Sequence, residues 1–505
     1  MTLPAPPVSK LIRGSALLFA GQLLSIGVKF LGQVLIVRYL TKEEYGALAY
    51  ALAMIEIGVI LALVALDNAA KRYVPIYHEQ KDYRSLFGML ILSFSIVAGI
   101  GLALVILVYL FQGALLGSVV SDQISLSLLL ILVALAPLQA FDQWFQSIFA
   151  SFSSVRAIFF RRFLLLPGLQ LAVILLVIAA HLDVYWLALG YLVTGAIGTA
   201  LYARMLLQLF RRRDLTRHFS WRDLNFKPRE TIGFSLPLFF TGLVFIGRTQ
   251  MITFLLEFYH GAIAVADFRA VQPAVRLNAL VYTSFEFMYL PLVARLLARN
   301  DGRGINEAYW RTAAWISVAS FPIFLVTFSL ASPVTILLFG ERYASSGPIM
   351  AMLSLGAYIN AVMGFNKDTL RVYHKLRFLL MVDMITMLIT LVSCVVLIPA
   401  FGAIGGAVTG ASALILTNVF FHIGLARLTP IRLFEPAYLR IYLMIAVGAG
   451  GLALFQALWS PPLFVSLPLA ALISFVVLRA NAHMLEVGDT FPELLRVPVL
   501  GRVLQ

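Results

Sequence analysis

Apolar runs of about twenty residues, each cut off by a short polar or charged cluster, recur along the whole chain. A helix of that length spans the hydrocarbon core of a bilayer. The pattern therefore predicts an all-α integral membrane protein with about 14 transmembrane helices. The predicted spans begin with 12–40, 44–70, 86–112, 123–150, 159–180, 184–210 and 231–258. The other seven are 261–290, 311–331, 347–370, 377–398, 402–426, 438–459 and 461–479. No cleavable signal precedes them, because the apolar stretch after Arg13 is too long and lacks a small-residue cleavage site. The first span is expected to be retained.

The polar segments between the spans alternate in charge. All but seven of the 38 Lys and Arg lie before the first span, in every second loop after it, or in the C-terminal tail. Arg38, Lys42, Arg269 and Arg342 lie in the other loops, and Lys29, Arg248 and Arg276 lie inside spans. By the positive-inside rule the basic loops are cytoplasmic, so both termini are expected in the cytoplasm. The longest basic loop, Arg211–Arg229, carries Trp221 and Phe226. It is expected to run between two halves, along the cytoplasmic surface or solvated beside it.

The halves resemble a parallel repeat. Tyr45-Gly46-Ala47 aligns with His260-Gly261-Ala262, each expected as a turn after a long first span. Tyr73-Val74-Pro75 aligns with Tyr289-Leu290-Pro291 at nearly the same offset. The expected divisions are a six-helix lobe at 1–210, a linker at 211–230, a second six-helix lobe at 231–430, and an extra helix pair with a tail at 431–505. Parallel repeats occur in secondary transporters, with the substrate site between lobes near the midplane. Chance similarity between apolar helices is the alternative.

Composition agrees with the span pattern. Hydrophobic residues make up 61% of the chain and charged residues 12%, about half the charged fraction of a soluble domain. The net charge of +14 is spread over the inner loops, where it serves topology and anionic lipid headgroups. Nucleic acid is not an expected partner. The single cysteine, Cys394, and the scattered histidines exclude disulfides and familiar metal-ligand spacings, so no metal is expected.

The intramembrane cations are the first candidates for chemistry. Lys29 lies roughly 13 Å from the outer end of its helix. Gln22, Ser25, Lys29 and Gln33 are three or four apart and give that helix one polar face. Arg248, with Thr249 and Gln250, interrupts the seventh span. Arg276, with Gln272 and Asn278, interrupts the eighth. A charge at the bilayer centre costs at least about 2.5 kcal/mol, so such groups face protein or water and usually have a task. Together the three cations suit a phosphate or diphosphate. The alternative is pairing with acids. Glu56, Asp67, Asp142, Glu286 and Asp383 are available for that, or for coupling to a proton or sodium gradient.

Two segments are more specific. Pro333–Phe339 followed by Gly340-Glu341-Arg342-Tyr343 ends a span in a Gly-rich turn. Pro399-Ala400-Phe401-Gly402-Ala403-Ile404-Gly405-Gly406-Ala407 makes a tight turn followed by small residues that allow close helix packing. With Arg38-Tyr39-Leu40-Thr41 and Tyr45-Gly46, these segments resemble the polysaccharide transporter family of the MOP (MATE-like) superfamily, which includes Wzx-type oligosaccharide flippases. The resemblance implies a V-shaped fold of two pseudo-twofold six-helix lobes plus a C-terminal helix pair. It implies a flippase that carries a polyprenyl-diphosphate-linked oligosaccharide from the cytoplasmic to the outer leaflet for cell-surface polysaccharide biosynthesis. It also implies that Lys29, Arg248 and Arg276 meet the diphosphate and that the last helix pair faces the lipid tail. The expected location is the plasma (inner) membrane. Expected partners are the lipid-linked oligosaccharide, membrane lipids, and the glycan polymerase and glycosyltransferases of the pathway, with no cofactor. The competing reading is a MATE-like multidrug or cation antiporter, whose cavity should be dominated by acids. An enzyme is not expected, because the outer loops are too short to build a catalytic domain.

Overall fold

A computed structural model of the protein describes residues 8–116, 120, 122–152, 154, 158–363 and 365–486, without the side chains of 8–20 and 287. The described elements are helical, apart from one isolated bridge between Leu116 and Val120. In chain order the first are α1 (Val8–Tyr39), α2 (Lys42–Leu63), α3 (Leu66–Glu79), α4 (Tyr83–Leu110) and the short α5 (Gln112–Leu115). Then come α6 (Gln123–Leu132), α7 (Leu135–Ser151), a π-helix (Phe159–Leu165) running into α8 (Leu166–Ala179), α9 (Val184–Arg212) and α10 (Pro228–Arg276). The next are α11 (Leu280–Ala298), α12 (Gly302–Phe324), α13 (Ala331–Phe339), α14 (Gly347–Val362) and α15 (Phe365–Val372). The last are α16 (Leu376–Leu428), α17 (Leu439–Trp459) and α18 (Leu463–Ala480). Aspartates cap several N-termini, as Asp82 does by accepting from the Ser85 backbone N–H at 3.1 Å.

Among the described residues 11 helices are long and apolar enough to cross a membrane, or 12 if the bent pair α6–α7 is one span. That is fewer than the sequence pattern predicts. Two of the counted helices run 59 and 53 residues, Pro228–Glu286 and Leu376–Leu428. A straight helix of that length would be about 80–90 Å long, far beyond the ~30 Å hydrocarbon core. Each contains a glycine in a left-handed conformation, Gly261 at φ 72 and Gly402 at φ 55, where L side chains are strained. After Gly402 the chain folds back closely, so a Cβ on Gly405 would lie 2.2 Å from the Leu397 carbonyl oxygen.

One part of the expected repeat is corrected. Gly261 is itself a break, but Tyr45-Gly46-Ala47 lies inside α2, which already begins at Lys42. The turn of the first half is set earlier, by a capping box between Thr41 and Glu44. Pro75 and Pro291 each sit inside a helix that runs on past them, two residues after a buried tyrosine. Each of those helices also begins at a break, at Val64–Ala65 in the first half and at the 3₁₀ turn Leu277–Ala279 in the second.

The chain divides into two compact units, Met1–Ala266 and Asp267–Gln505. In the first, α2 packs on α6 and α7, with Gly58 close to Ala136. The part of α10 before Gly261 is hydrogen-bonded along its length to this unit. Tyr73 and Tyr77 hydroxyls donate to the Glu230 carbonyl and carboxylate, each at 3.4 Å. Gln250 donates to Glu56, and Ser125 donates to the fully buried Glu257 at 3.3 Å. The segment between α9 and α10 folds onto the α3–α4 turn. The Asn225 N–H donates to the Arg84 carbonyl at 3.2 Å, and Lys227 lies 3.8 Å from Asp82. Trp221 and Phe226 are exposed. Asp82 is held below the usual carboxylate range by its Ser85 hydrogen bond. The Tyr77 hydroxyl is pushed up to about 12 by burial and by Glu230.

In the second unit α14 crosses α16 closely, and a Cβ on Gly356 would sit 2.7 Å from the Ala411 Cα. Buried Asn366 bonds the Tyr309 hydroxyl and donates to the Asn418 carbonyl at 3.3 Å. The Ser329 hydroxyl fastens α17 by donating to the Ala449 carbonyl at 2.9 Å. An apolar cavity of about 670 Å³ opens between α17 and the rest of this unit, lined by Trp310, Phe324, Phe328, Tyr358, Tyr442 and Ile445 among others.

Candidate functional site

The first unit holds a second cavity of different character, about 580 Å³ and largely polar. It is lined by Lys29 from α1, Asp67 and Lys71 from α3, and Gln139, Asp142, Gln143 and Gln146 from α7. Ser147 of α7, Arg162 of the π-helix and Gln170 of α8 complete the polar lining. The polar residues from α7 are spaced i, i+3, i+4, i+7 and i+8, so a single helical face carries them all.

Behind this face sits a buried guanidinium. Arg161 is 2% exposed, and its Nη2 donates to Asp142 Oδ1 at 2.9 Å. Its guanidinium lies over the Tyr202 ring, 5.3 Å from the centroid. Among the described residues, Nε and Nη1 of the same group have no hydrogen-bond partner. A π-helical stretch carries both arginines, which places Arg161 inside the unit and Arg162 on the cavity. π-Helical turns are rare and frequent at functional sites. Asp67 is similarly engaged, with Lys71 Nζ at 2.8 Å. Both carboxylates of the cavity are thus neutralised by the protein itself.

Of the three intramembrane cations, Lys29 lines this cavity. Arg248 is half-buried on α10 in the same unit and is outside the lining. Arg276 is exposed at the end of α10 in the second unit. The polar neighbours of Lys29 on α1 take other places. Ser25 is buried, Gln22 is half-buried, and Gln33 donates to the Tyr45 hydroxyl in the α1–α2 contact. Gln250 bonds Glu56. Gln272 accepts from Arg269 at 3.2 Å, and buried Asn278 donates to Thr327 at 3.0 Å.

The acids are mostly engaged within their own unit. Asp383 holds Lys367 at 2.9 Å. Glu286 is half-buried near the buried Asp368, which accepts from Tyr282 at 2.5 Å and pairs with Arg371 at 3.1 Å. Among the described residues no group of three or more His, Cys, Asp or Glu could hold a metal ion.

Sequence reasoning missed the α7 glutamines and Arg161. The glutamines carried a usable signal, a polar stripe at helical spacing within an otherwise apolar span. Arg161 carried none, since nothing local separates it from Arg162.

A family model described as polysaccharide biosynthesis protein matches residues 11–297. No curated protein matches the sequence significantly. Among solved structures, the lipid II flippase MurJ in an inward closed conformation shares the fold at 15% identity, with TM-score 0.71, over 94% of this chain and 99% of that one. An inward-facing multidrug resistance MATE family transporter of the MOP superfamily gives TM-score 0.64 at 13% identity, over 80% of this chain and 94% of that one. A MOP superfamily transporter from Pyrococcus furiosus, described as having a binding pocket of reverse polarity, gives 0.55 at 14% identity, over 82% and 96%.

Proposed function

Because this chain belongs to the polysaccharide biosynthesis protein family and is a multi-pass membrane protein with a MOP-superfamily transporter fold, we propose that it is a flippase for a polyprenyl-diphosphate-linked oligosaccharide. The head of such a lipid cannot cross hydrocarbon unaided, because its hydroxyls and diphosphate would lose their hydrogen bonds. A polar cavity shields the head while the tail stays in lipid, and alternating access moves it from the cytoplasmic to the outer leaflet. MurJ, which shares the fold, is itself named a lipid II flippase.

The observation that carries this reading is the charge state of the cavity in the first unit. Arg161 occupies Asp142 and Lys71 occupies Asp67, so the wall meets a ligand with amides and cations. That opposes the cation-antiporter alternative, which requires exposed carboxylates. Lys29, Arg248 and Arg276 are proposed as the diphosphate contacts. The apolar cavity beside α17 is proposed as a place for the lipid tail, which its aromatic lining supports. Fourteen crossings are proposed, with Pro228–Glu286 and Leu376–Leu428 each counted as two on either side of their glycine breaks. We also propose lobes at 1–210 and 231–430, a linker at 211–230, the added pair at 431–505, and both termini in the cytoplasm of a cell with this protein in its plasma membrane.

The test is leaflet exchange in proteoliposomes containing the full chain and a fluorescent undecaprenyl-diphosphate disaccharide. Protein-dependent exchange is expected. Exchange no faster than in empty vesicles, with transport of a lipophilic cation instead, would favour the antiporter.

A further inference from the structure

The wall of the polar cavity specifies more than a generic glycan. Four carboxamides, Gln139, Gln143, Gln146 and Gln170, face the same space. Each carboxamide both donates and accepts, as a sugar hydroxyl does, so paired amides match vicinal hydroxyls of a pyranose. The volume is that of a pocket for a small ligand rather than a single water.

The charge of the wall is unbalanced. Lys29, Lys71 and Arg162 line it, and Arg161 backs it, against the two carboxylates Asp67 and Asp142. A cationic ligand would have to share Asp142 with Arg161, which already holds its Oδ1. Arg161 cannot yield easily, because it is buried, lies over Tyr202, and fills the space left by Gly198. Three of its N–H donors, one on Nε and two on Nη1, are buried without partners among the described residues, which deepens the positive potential behind Asp142. An anion lowers that cost, and a neutral ligand leaves it unchanged.

We propose that this cavity takes an acidic sugar. The pyranose hydroxyls meet the α7 and α8 carboxamides, and a carboxylate or phosphate carried on the sugar meets Arg162. The inference rests on the flippase reading and adds to it a preference for glycans bearing negative charge, read separately from the diphosphate that every such carrier lipid shares.

Two lipid probes with the same carrier separate these ideas. One is undecaprenyl-diphosphate disaccharide ending in glucuronic acid, the other its glucose counterpart, each assayed for leaflet exchange with the full chain. The acidic probe is expected to half-saturate at about tenfold lower concentration, the factor one charge-assisted contact confers. Arg162→Gln is expected to bring the ratio between probes toward one, whereas Gln143→Leu is expected to raise the half-saturating concentration of both probes and leave their ratio in place. Equal half-saturation of the two probes in the unaltered protein, or a ratio unmoved by Arg162→Gln, overturns the proposal while leaving the flippase reading intact. No exchange of either probe overturns the flippase reading, and the proposal with it.

A binding arm in detergent does not depend on transport. A soluble disaccharide containing glucuronic acid should raise the melting temperature more than cellobiose does, and Arg162→Gln should remove the difference. A rise with inorganic pyrophosphate that equals the acidic disaccharide, and is lost in the same variant, would mark the cavity as a diphosphate site and refute the acidic-sugar assignment.

Discussion

A Cβ placed on Gly198 would lie 2.0 Å from Nη2 of Arg161 and 2.4 Å from its Cζ. The helix α9 thus keeps a vacancy one side chain deep, and the guanidinium fills it. The same guanidinium reaches Asp142 on α7, so three elements, α7, α9 and the π-helix before α8, converge on one charge. The polar wall of the cavity is held in place by this convergence.

Gly198→Ala should therefore push Arg161 out of place and loosen α7. Overpacking of this kind costs about 1–3 kcal/mol. The melting temperature of the purified protein should fall by several degrees, whereas Gly168→Ala, on an open face of α8 where a Cβ meets nothing within 4 Å, should leave it unchanged or raise it. Equal melting of the two variants would show that the guanidinium is not confined.

Asp142→Asn removes the partner of a buried cation and should cost on the order of 3 kcal/mol. Asp67→Asn leaves Lys71, half-exposed on its own helix, and should cost far less, because exposed i,i+4 pairs contribute little. If Asp142 also couples transport to an ion gradient, the variant should in addition lose its response to an ionophore. Melting curves and ionophore response, measured on the same two variants, separate charge pairing from coupling.

The sequence was a good guide to where helices run and a poor guide to what faces what. Apolar length marked the spans, and Gly261 and Gly402 fell at predicted boundaries because only glycine adopts such a backbone without strain. The tripeptide around Gly46 was misplaced because the capping box two to five residues earlier starts the helix sooner than a glycine turn would. Lys29 was legible from its polar face. The role of Arg161 was not, because it depends on a vacancy at Gly198 that lies 37 residues further along the chain. Tertiary complementarity of that kind leaves no periodic trace.

The three proposed diphosphate contacts differ in setting: Lys29 lines the polar cavity, Arg248 is half-buried, and Arg276 is exposed on the second unit. If they share a task, Lys29→Ala, Arg248→Ala and Arg276→Ala should each stop glycan export in cells while protein levels in the membrane stay near normal. Full export in both arginine variants would remove the shared-anion reading and leave the cavity around Lys29 as the whole site.

The final prediction concerns pH and the segment between α9 and α10. His78, at the end of α3, packs edge-on against Phe152 at 5.3 Å between centroids, and its Nδ1 is buried without a partner among the described residues. Arg213, which donates to the Phe152 carbonyl at 3.0 Å, stands close by. Burial first, and the Arg213 charge second, lower the His78 pKa from its ordinary 6.5, with Glu79 opposing. A histidine with a lowered folded pKa binds fewer protons folded than unfolded at pH between the two values. Stability therefore rises with pH across that window and is lost as pH falls below about 6.5. The packing of this segment should weaken accordingly in mildly acidic buffer. Melting temperatures of the parent and of His78→Phe, followed from pH 7.5 to pH 5, isolate the contribution, since other titrating groups are common to both. The parent should lose stability relative to the variant as pH falls. A difference that stays constant would mean that His78 is as easily protonated in place as in the unfolded chain.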